Sequence, residues 1–410
     1  MVSREVRCPL CSTTYTFYTP KASSYSLVRR DSDHCPYYKD ANPIFYAIWV
    51  CPTCHFAAYK DDFRQLEMES MTALKEALDS DTLGRAVSFQ NPERSLFAVL
   101  RSFQLAALCY RIRKFPPELV AGLALRAGWI CRYSGELRRE LGFLREAQEL
   151  YQKAFDKGFR RDSQVDDLAV AFLIGELKLR IGDIAGAQKY FMFLAQESDT
   201  KDRLDRAAKD RLYESKVAAR ICQLLEPVPL LAPIGEHLGL LAVYCEMFTL
   251  GPGKFLFRQG DPGESMFVIA SGKVGVYREH EGKAALVRVL GPGEAFGEMS
   301  LLTGEQRSAT VIGGDGESSA TTEPSVELIQ IHRTAFRNIL MAAPEVAQGM
   351  ANLVSRWRSA DAERATHSEP CTACPPGVAE EALPATDGDV RVELESKILA
   401  KINNFLGLPK

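Results

Sequence analysis

The chain lacks any long apolar run. Its most apolar stretches, near Leu119–Ile130 and Val228–Val243, are interrupted by charge, glycine or proline, so neither offers the roughly 18 uninterrupted apolar residues of a bilayer-spanning helix. It lacks an apolar leader with a cleavage site; the first 20 residues hold two cysteines and several hydroxyls instead. The expectation is therefore a cytoplasmic protein in a reducing compartment. It lacks an excess of charge of one sign: 50 basic against 53 acidic residues leave −3, which argues against a broad electrostatic grip on nucleic acid. Histidine is scarce, with six scattered copies. There is no P-loop, G-x-G-x-x-G, G-x-S-x-G or H-E-x-x-H pattern, so the common phosphate-cradle, dinucleotide, esterase and metalloprotease chemistries have no visible seat. No enzyme is expected, although residues 1–225 leave the point open. What is present is an ordinary globular mixture, 46% hydrophobic and 25% charged over 410 residues. At roughly 150 residues per domain this predicts two to three domains.

Eleven cysteines are many for a reducing compartment, and six of them form three C-x-x-C pairs: Cys8/Cys11, Cys51/Cys54 and Cys371/Cys374. Such pairs read as metal ligation or redox chemistry rather than as a disulfide framework. Each of the first two turns can deliver two thiolates to one zinc ion, and together they close a tetrahedral site. A redox pair normally opens a helix in a βαβ setting; here there are two similar pairs and no βαβ pattern. Thr13–Thr19 and Ile44–Val50 are rich in β-formers. Residues 1–60 thus read as a zinc-ribbon-like unit with zinc on Cys8, Cys11, Cys51 and Cys54. His34, Cys35 and His55 are alternative ligands, more simply read as neighbours of the site. Arg29-Arg30 is too small a basic cluster to make nucleic acid a leading partner.

Those residues carry a resemblance. C-P-L-C, Ser32-Asp33, Asn42-Pro43, Tyr46, C-P-T-C, Ala57 and Asp62-Phe63 resemble the bacterial domain of unknown function numbered 2225. The match covers roughly residues 1–225 and implies fold and bacterial origin more than activity.

From residue 61 to 225 the apolar period shifts to 3.6. Helices are predicted near 61–80, 92–113, 117–134, 137–157, 164–181, 184–198 and 202–225, with Asn91-Pro92 as the cap of the second. Gly175, Gly182-Asp183, Ala187, Phe191 and Leu194 have the spacing of a tetratricopeptide helix pair. Gly128-Trp129, Ala147, Tyr151 and Ala154 make a weaker copy. A compact bundle accounts for the same residues, whereas a repeat-like surface would hold a protein partner. Pro227, Pro229 and Pro233 end the periodicity and set a boundary near residue 226.

Beyond Thr249, short apolar runs alternate with glycine, the texture of an antiparallel sandwich or barrel. Inside lie Phe296-Gly297-Glu298-Met299-Ser300-Leu301-Leu302 and Arg307-Ser308-Ala309-Thr310-Val311. A glycine before a helical turn lets backbone N–H groups approach an anion. Glu298 can accept from a ribose hydroxyl, and Arg307 can donate to a phosphate. A buried Glu–Arg pair would use the same two residues but leaves Gly297 and Ser308-Ala309 unexplained.

This segment, with the upstream pattern from Gly253 to Val274, resembles the cyclic nucleotide-binding domain family over residues 230–358. The resemblance implies a β-roll with flanking helices. It also implies a ligand site at Gly297, Glu298, Met299, Ser300, Arg307, Ser308 and Ala309, with Glu298 on the ribose 2′-hydroxyl and Arg307 on the cyclic phosphate. Ser308, where threonine is associated with cGMP, implies cAMP. Trp357 and Arg356 are candidates to cap the base, and Gly313 to Pro324 is an unusually long polar loop. Residues 359–389 read as an acidic disordered linker. Residues 390–410 read as an amphipathic tail helix with Leu394, Ile398, Ile402 and Phe405 on one stripe. No basic helix-turn-helix follows, unlike the cAMP-regulated transcription factors of that family.

The whole reads as a multidomain α+β protein: 1–60 zinc unit, 61–225 helical tetratricopeptide-like domain, 226–358 cyclic nucleotide module, 359–389 linker, 390–410 tail helix. The expected function is a receptor that couples cAMP, in preference to cGMP, to a protein partner of the zinc-stabilised helical region. The alternatives are a scaffold with a vestigial nucleotide site, or an enzyme in the N-terminal half under nucleotide control.

Overall fold

The computed structural model describes residues 1–80, 87–158, 167–197, 203–280, 283–315, 325–343 and 346–349. The chain divides into two compact units at 215/216. Trp357, Arg356, most of the expected 313–324 loop, the acidic linker, Cys371/Cys374 and the tail helix lie outside the described residues.

The first unit opens with three antiparallel hairpins: β1 (Val2–Arg7) with β2 (Thr14–Thr19), β3 (Tyr25–Arg30) with β4 (Pro36–Asp40), and β5 (Ile48–Val50) with β6 (Ala57–Tyr59). Helices follow: α1 (Lys60–Phe63), α2 (Met71–Asp79), α3 (Leu96–Ile112), α4 (Pro117–Ser134), α5 (Leu137–Lys157), α6 (Asp167–Arg180), α7 (Ile184–Glu197) and α8 (Arg203–Leu225), the last running through the division. One apolar core ties the hairpins to α2, α3 and α4. Phe17, Ile48, Phe56, Phe63, Phe103 and Tyr110 are buried in it.

Helices α4 to α8 lie where the periodicity puts them, and two expectations need correction. The 61–80 helix is broken after Phe63. The buried Arg113 side chain donates to the carbonyls of Asp62 (3.2 Å) and Gln65 (2.6 Å), and to the Glu67 carboxylate (3.1 Å). It thereby takes carbonyls that a continuous helix would have used. Asn91-Pro92 does not cap α3. Asn91 accepts from its own neighbour Glu93 N at 2.9 Å, and the cap is Ser95, which accepts from Ala98 N at 3.2 Å. A side chain that closes a local turn competes with the helix start.

In α6 and α7, Gly175 meets Phe191 so closely that a Cβ would stand 2.8 Å from the ring. Asp183 accepts from Gly186 N at 2.8 Å and so starts α7. Gly128 similarly faces Leu144 across α4 and α5, with 3.0 Å left for a Cβ. These glycines are close-approach sites, which a compact bundle requires as much as a repeat does.

The second unit runs from a 3-10 segment (Pro229–His237) and α9 (Leu238–Val243) into two four-stranded sheets. Its strands are β7 (Glu246–Leu250), β8 (Phe255–Phe257), β9 (Ser265–Ser271), β10 (Val274–His280), β11 (Lys283–Leu290), β12 (Ala295–Phe296), β13 (Thr310–Gly313) and β14 (Val326–His332). One sheet has the order β11-β10-β13-β8 and the other β12-β9-β14-β7. Leu250, Phe267, Ile269, Val274, Val311 and Leu328 belong to a single buried cluster drawn from both sheets, as in a sandwich. The turn helix α10 (Glu298–Thr303) follows β12, and α11 (Arg333–Ala342) follows β14.

Candidate functional site

Two local clusters stand out, one in each unit. In the first, the β1–β2 and β5–β6 turns are two copies of one knuckle. Ser12 N donates to Cys8 O and His55 N to Cys51 O, both at 2.9 Å. Cys8 N donates to Thr13 O and Cys51 N to Phe56 O, again at 2.9 Å. Ser12 and His55, each following its second cysteine, both take a left-handed backbone, φ 64° and 60°. The turns converge so that the sulfurs of Cys8, Cys11, Cys51 and Cys54 all lie within 4.8 Å of one another. Cys8–Cys54 and Cys11–Cys51 are each 3.5 Å apart. A tetrahedron with metal–sulfur bonds of about 2.3 Å needs sulfurs about 3.8 Å apart, so the four residues fit zinc. Hydrogen bonding from Cys54 and then Cys8 holds Cys51 well below the ordinary thiol range. The hydrogen bond with Cys51 pushes Cys8 up.

His34, Cys35 and His55 are not members of this set. Cys35 is fully buried; burial first of all raises its thiol to about 11, and its sulfur donates to Tyr133 Oη at 3.5 Å. It borders a buried ion cluster that spacing did not foretell. Arg132 donates to Asp33 (2.7 Å), Asp31 (2.9 Å) and Glu140 (2.7 Å). Asp33 also accepts from Trp129 Nε1 at 3.3 Å, and Arg180 lies 3.5 Å away. The cluster clamps the β3–β4 loop onto α4, α5 and α6.

In the second unit, a cavity of about 340 Å³ is lined by all seven predicted ligand residues: Gly297, Glu298, Met299, Ser300, Arg307, Ser308 and Ala309. Gly297 takes φ 76° between β12 and α10. A Cβ there would stand 2.6 Å from Arg307 Nη1, so the glycine is required twice, for its backbone and for its space. Arg307 is 6% exposed. Its Nη1 donates to Gly297 O at 2.8 Å and its Nη2 to Ser265 O at 2.7 Å. Its Nε is buried with no hydrogen-bond partner among the described residues. Burial lowers the pKa of Arg307, against the raising charges of Glu298 and Asp261. The guanidinium lies over Phe257, 4.2 Å from the ring centroid.

The Gly260-Asp261-Pro262-Gly263 turn explains itself here. Gly260 N donates to Arg307 O at 2.9 Å, and Arg307 N donates to Asp261 O at 2.8 Å. A Cβ on Gly263 would strike Ser300 Cβ at 2.4 Å and Arg307 Cζ at 2.8 Å. The turn holds the backbone of the arginine while its last glycine leaves room for the side chain. Sequence reading recognised the turn but not this task. It also missed Phe257, Val276, Arg278, Val287 and Arg288, which line the cavity from the strands. Their signal was the strand register, which only pairing reveals. The arrangement presents a buried cation with one unsatisfied donor, a carboxylate and a glycine-cleared cradle. That set fits a ribose cyclic phosphate.

Comparison with known proteins agrees. A cyclic nucleotide-binding domain matches residues 247–343. The cyclic AMP receptor protein of Thermus thermophilus is 38% identical over 135 residues, 32% of this chain and 57% of the relative. A cyclic nucleotide-gated potassium channel of Mesorhizobium japonicum is 36% identical over 132 residues, 31% of this chain and 32% of the relative. Each match spans less than two thirds of the relative's own length. The crystal structure of the Thermus thermophilus catabolite activator protein aligns at 33% identity over 33% of this chain and 62% of that one, with a TM-score of 0.28. Among the described residues no helix is long and apolar enough to cross a membrane. The family described as uncharacterized protein conserved in bacteria (DUF2225) matches residues 1–216, more than half of the chain. The chain therefore belongs to that family and joins to it a cyclic nucleotide-binding domain.

Proposed function

We propose that the protein is a receptor for a purine 3′,5′-cyclic mononucleotide and not itself an enzyme. One observation carries the reading: the buried, unpartnered Nε of Arg307 in a cavity lined by the whole predicted ligand set. A buried cationic donor without a partner is costly, and an anionic phosphate supplies what it lacks. Glu298 takes the ribose 2′-hydroxyl, and the backbone around Gly297, Ser300, Ser308 and Ala309 frames the phosphate. Ser308 speaks for cAMP by family resemblance. The four cysteines hold a structural zinc, whose closed thiolate shell leaves no position for a reacting water. The zinc-stabilised helical region engages a protein partner, and nucleotide shifts that engagement by binding one of two states more tightly. Eleven cysteines, six of them in C-x-x-C pairs, suit a reducing cytoplasm.

Calorimetric titration of the full chain with cAMP and cGMP, beside Arg307→Ala, tests the reading. A charge-assisted hydrogen bond to phosphate is worth about 1.5–3 kcal/mol, so the variant binds roughly 10- to 150-fold more weakly. Binding that ignores the substitution, or no binding of either ligand, removes the proposal and leaves a scaffold with a vestigial site.

A further inference from the structure

The residue that begins α11 is tied to the backbone that holds Arg307. β14 and β9 pair antiparallel with His332 opposite Ser265. The carbonyl of Ser265 accepts from Arg307 Nη2 at 2.7 Å, so the placement of this one serine anchors one arm of the guanidinium. Ser265 is 5% exposed. Its hydroxyl has two neighbours. Gln330 Nε2 donates to Oγ at 2.9 Å, and His332 Nδ1 lies 3.0 Å from Oγ. A serine hydroxyl has one proton and two lone pairs. With Gln330 on a lone pair, the proton goes to His332 Nδ1. That bond needs a bare Nδ1 and therefore a neutral ring with its proton on Nε2.

The helix start gives the imidazole no other task. His332 is the N-cap of α11, where a short polar side chain ordinarily accepts from an amide of the first turn. The imidazole makes no such bond. The N–H of the next residue, Arg333, is taken by Glu264 O at 2.8 Å. Main chain and side chain thus both tie the start of α11 to residues 264 and 265. These follow directly on Gly263, whose missing Cβ leaves room for Arg307.

We propose that His332 is a positioning residue for Arg307: its Nδ1 takes the Ser265 proton, fixes Ser265, and so holds the carbonyl that orients the guanidinium in the cavity. The proposal rests on the cavity being a cyclic nucleotide site. His332 is not among the residues that line the cavity, so it acts through two hydrogen bonds in series rather than on the ligand. Without an acceptor at that place, the Ser265 proton is buried with no partner, which is costly. Relieving that cost disturbs β9 at the carbonyl Arg307 uses.

The test is calorimetric titration of the full chain with cAMP and cGMP. His332→Ala binds the nucleotide roughly 3- to 10-fold more weakly than wild type, the effect of about one hydrogen bond. Two replacements separate chemistry from packing. His332→Asn puts an amide oxygen near the place of Nδ1 and restores the affinity, whereas His332→Phe keeps the ring without an acceptor and does not. In an Arg307→Ala background His332→Ala costs nothing further, because the two substitutions break one chain of contacts. Nitrogen-15 NMR of wild type at pH 8 needs no variant to fold. The chain has six histidines, and the His332 signals, assigned by their loss in His332→Asn, show a bare Nδ1 and a protonated Nε2. The proposal is overturned if His332→Ala binds like wild type, if its loss persists undiminished without Arg307, if Phe restores binding and Asn does not, or if Nδ1 carries the proton. Arg307-dependent binding without a His332 effect sinks only the positioning role. Binding of neither nucleotide to wild type sinks the receptor reading as well.

Discussion

Arg307 and Asp33 are both charged and nearly inaccessible, and they are buried for different ends. Asp33 is fully satisfied: two guanidiniums, an indole N–H and the Cys35 N–H surround it. Burial alone would raise its pKa, but the Arg132 hydrogen bonds and the Arg180 and Arg132 charges hold it below its ordinary 3.8. A buried pair broken on one side costs about 3–5 kcal/mol, because the partner is left uncompensated. Asp33→Asn is therefore expected to lose about that much at neutral pH, seen by chemical or thermal unfolding. Since the folded value lies below the unfolded one, the contribution of Asp33 is full above pH 3.8 and disappears as pH falls through the folded value. The gap between wild type and variant should close over that acid window. A gap that persists unchanged there would show that Asp33 acts by packing alone. Glu140 runs the other way. Burial outweighs Arg132 and raises its pKa above 4.5, so its favourable share is present below 4.5 and is lost as pH rises through the folded value. Arg307, by contrast, has a buried Nε with no hydrogen-bond partner among the described residues, as do Arg94, Arg101 and Arg180, but of these four it is the one that lines the cavity.

At the scale of elements, the two knuckles are the most constrained pieces of backbone. Their four sulfurs sit on two short hairpins whose apolar residues merge into the core under α3. A small β unit of this kind gains folding energy from its metal. One zinc per chain is expected by metal analysis. Cys51→Ser should lose it and lower the unfolding temperature of the first unit, and a strong chelator should reproduce the effect in wild type. A Cys51→Ser protein with full zinc content and an unchanged melt would remove the four-thiolate assignment. The same knuckles put serine and histidine where a left-handed backbone favours glycine, a local cost that the paired turn hydrogen bonds offset.

For the whole molecule, the question is whether nucleotide bound at the β-sandwich is felt by the zinc and helical half. Ligand at about 100 times its dissociation constant stabilises the state that binds it by about 2.7 kcal/mol. With the proposed coupling, hydrogen exchange and thermal melts of the full chain should show part of that stabilisation within residues 1–215, and Arg307→Ala at the same ligand concentration should reduce it in both halves. Nucleotide that protects only residues 216 onward would leave two independent modules on one chain.

Much of this architecture was written in period and spacing. The 3.6-residue pattern placed α5, because it buries one stripe, whereas α4 is buried on nearly every side and is marked by its bounds, Pro117 at its start and Gly135 at its end. The C-x-x-C spacing marked all four sulfurs, because a knuckle is a local structure. F-G-E-M-S-L and R-S-A marked the lining of the nucleotide cavity by resemblance, although Arg307 is held there by Gly260, Asp261 and Ser265 from far along the chain. What the chain pattern did not contain were the long-range partnerships. Arg113 breaking the 61–80 helix, the Asp33–Arg132 cluster, and the room that Gly263 leaves for Arg307 each join residues from separate elements. Periodicity and spacing report the face of an element and the shape of a turn. Which faces meet, and in which register, depends on packing and strand pairing, and those exist only once the chain has closed.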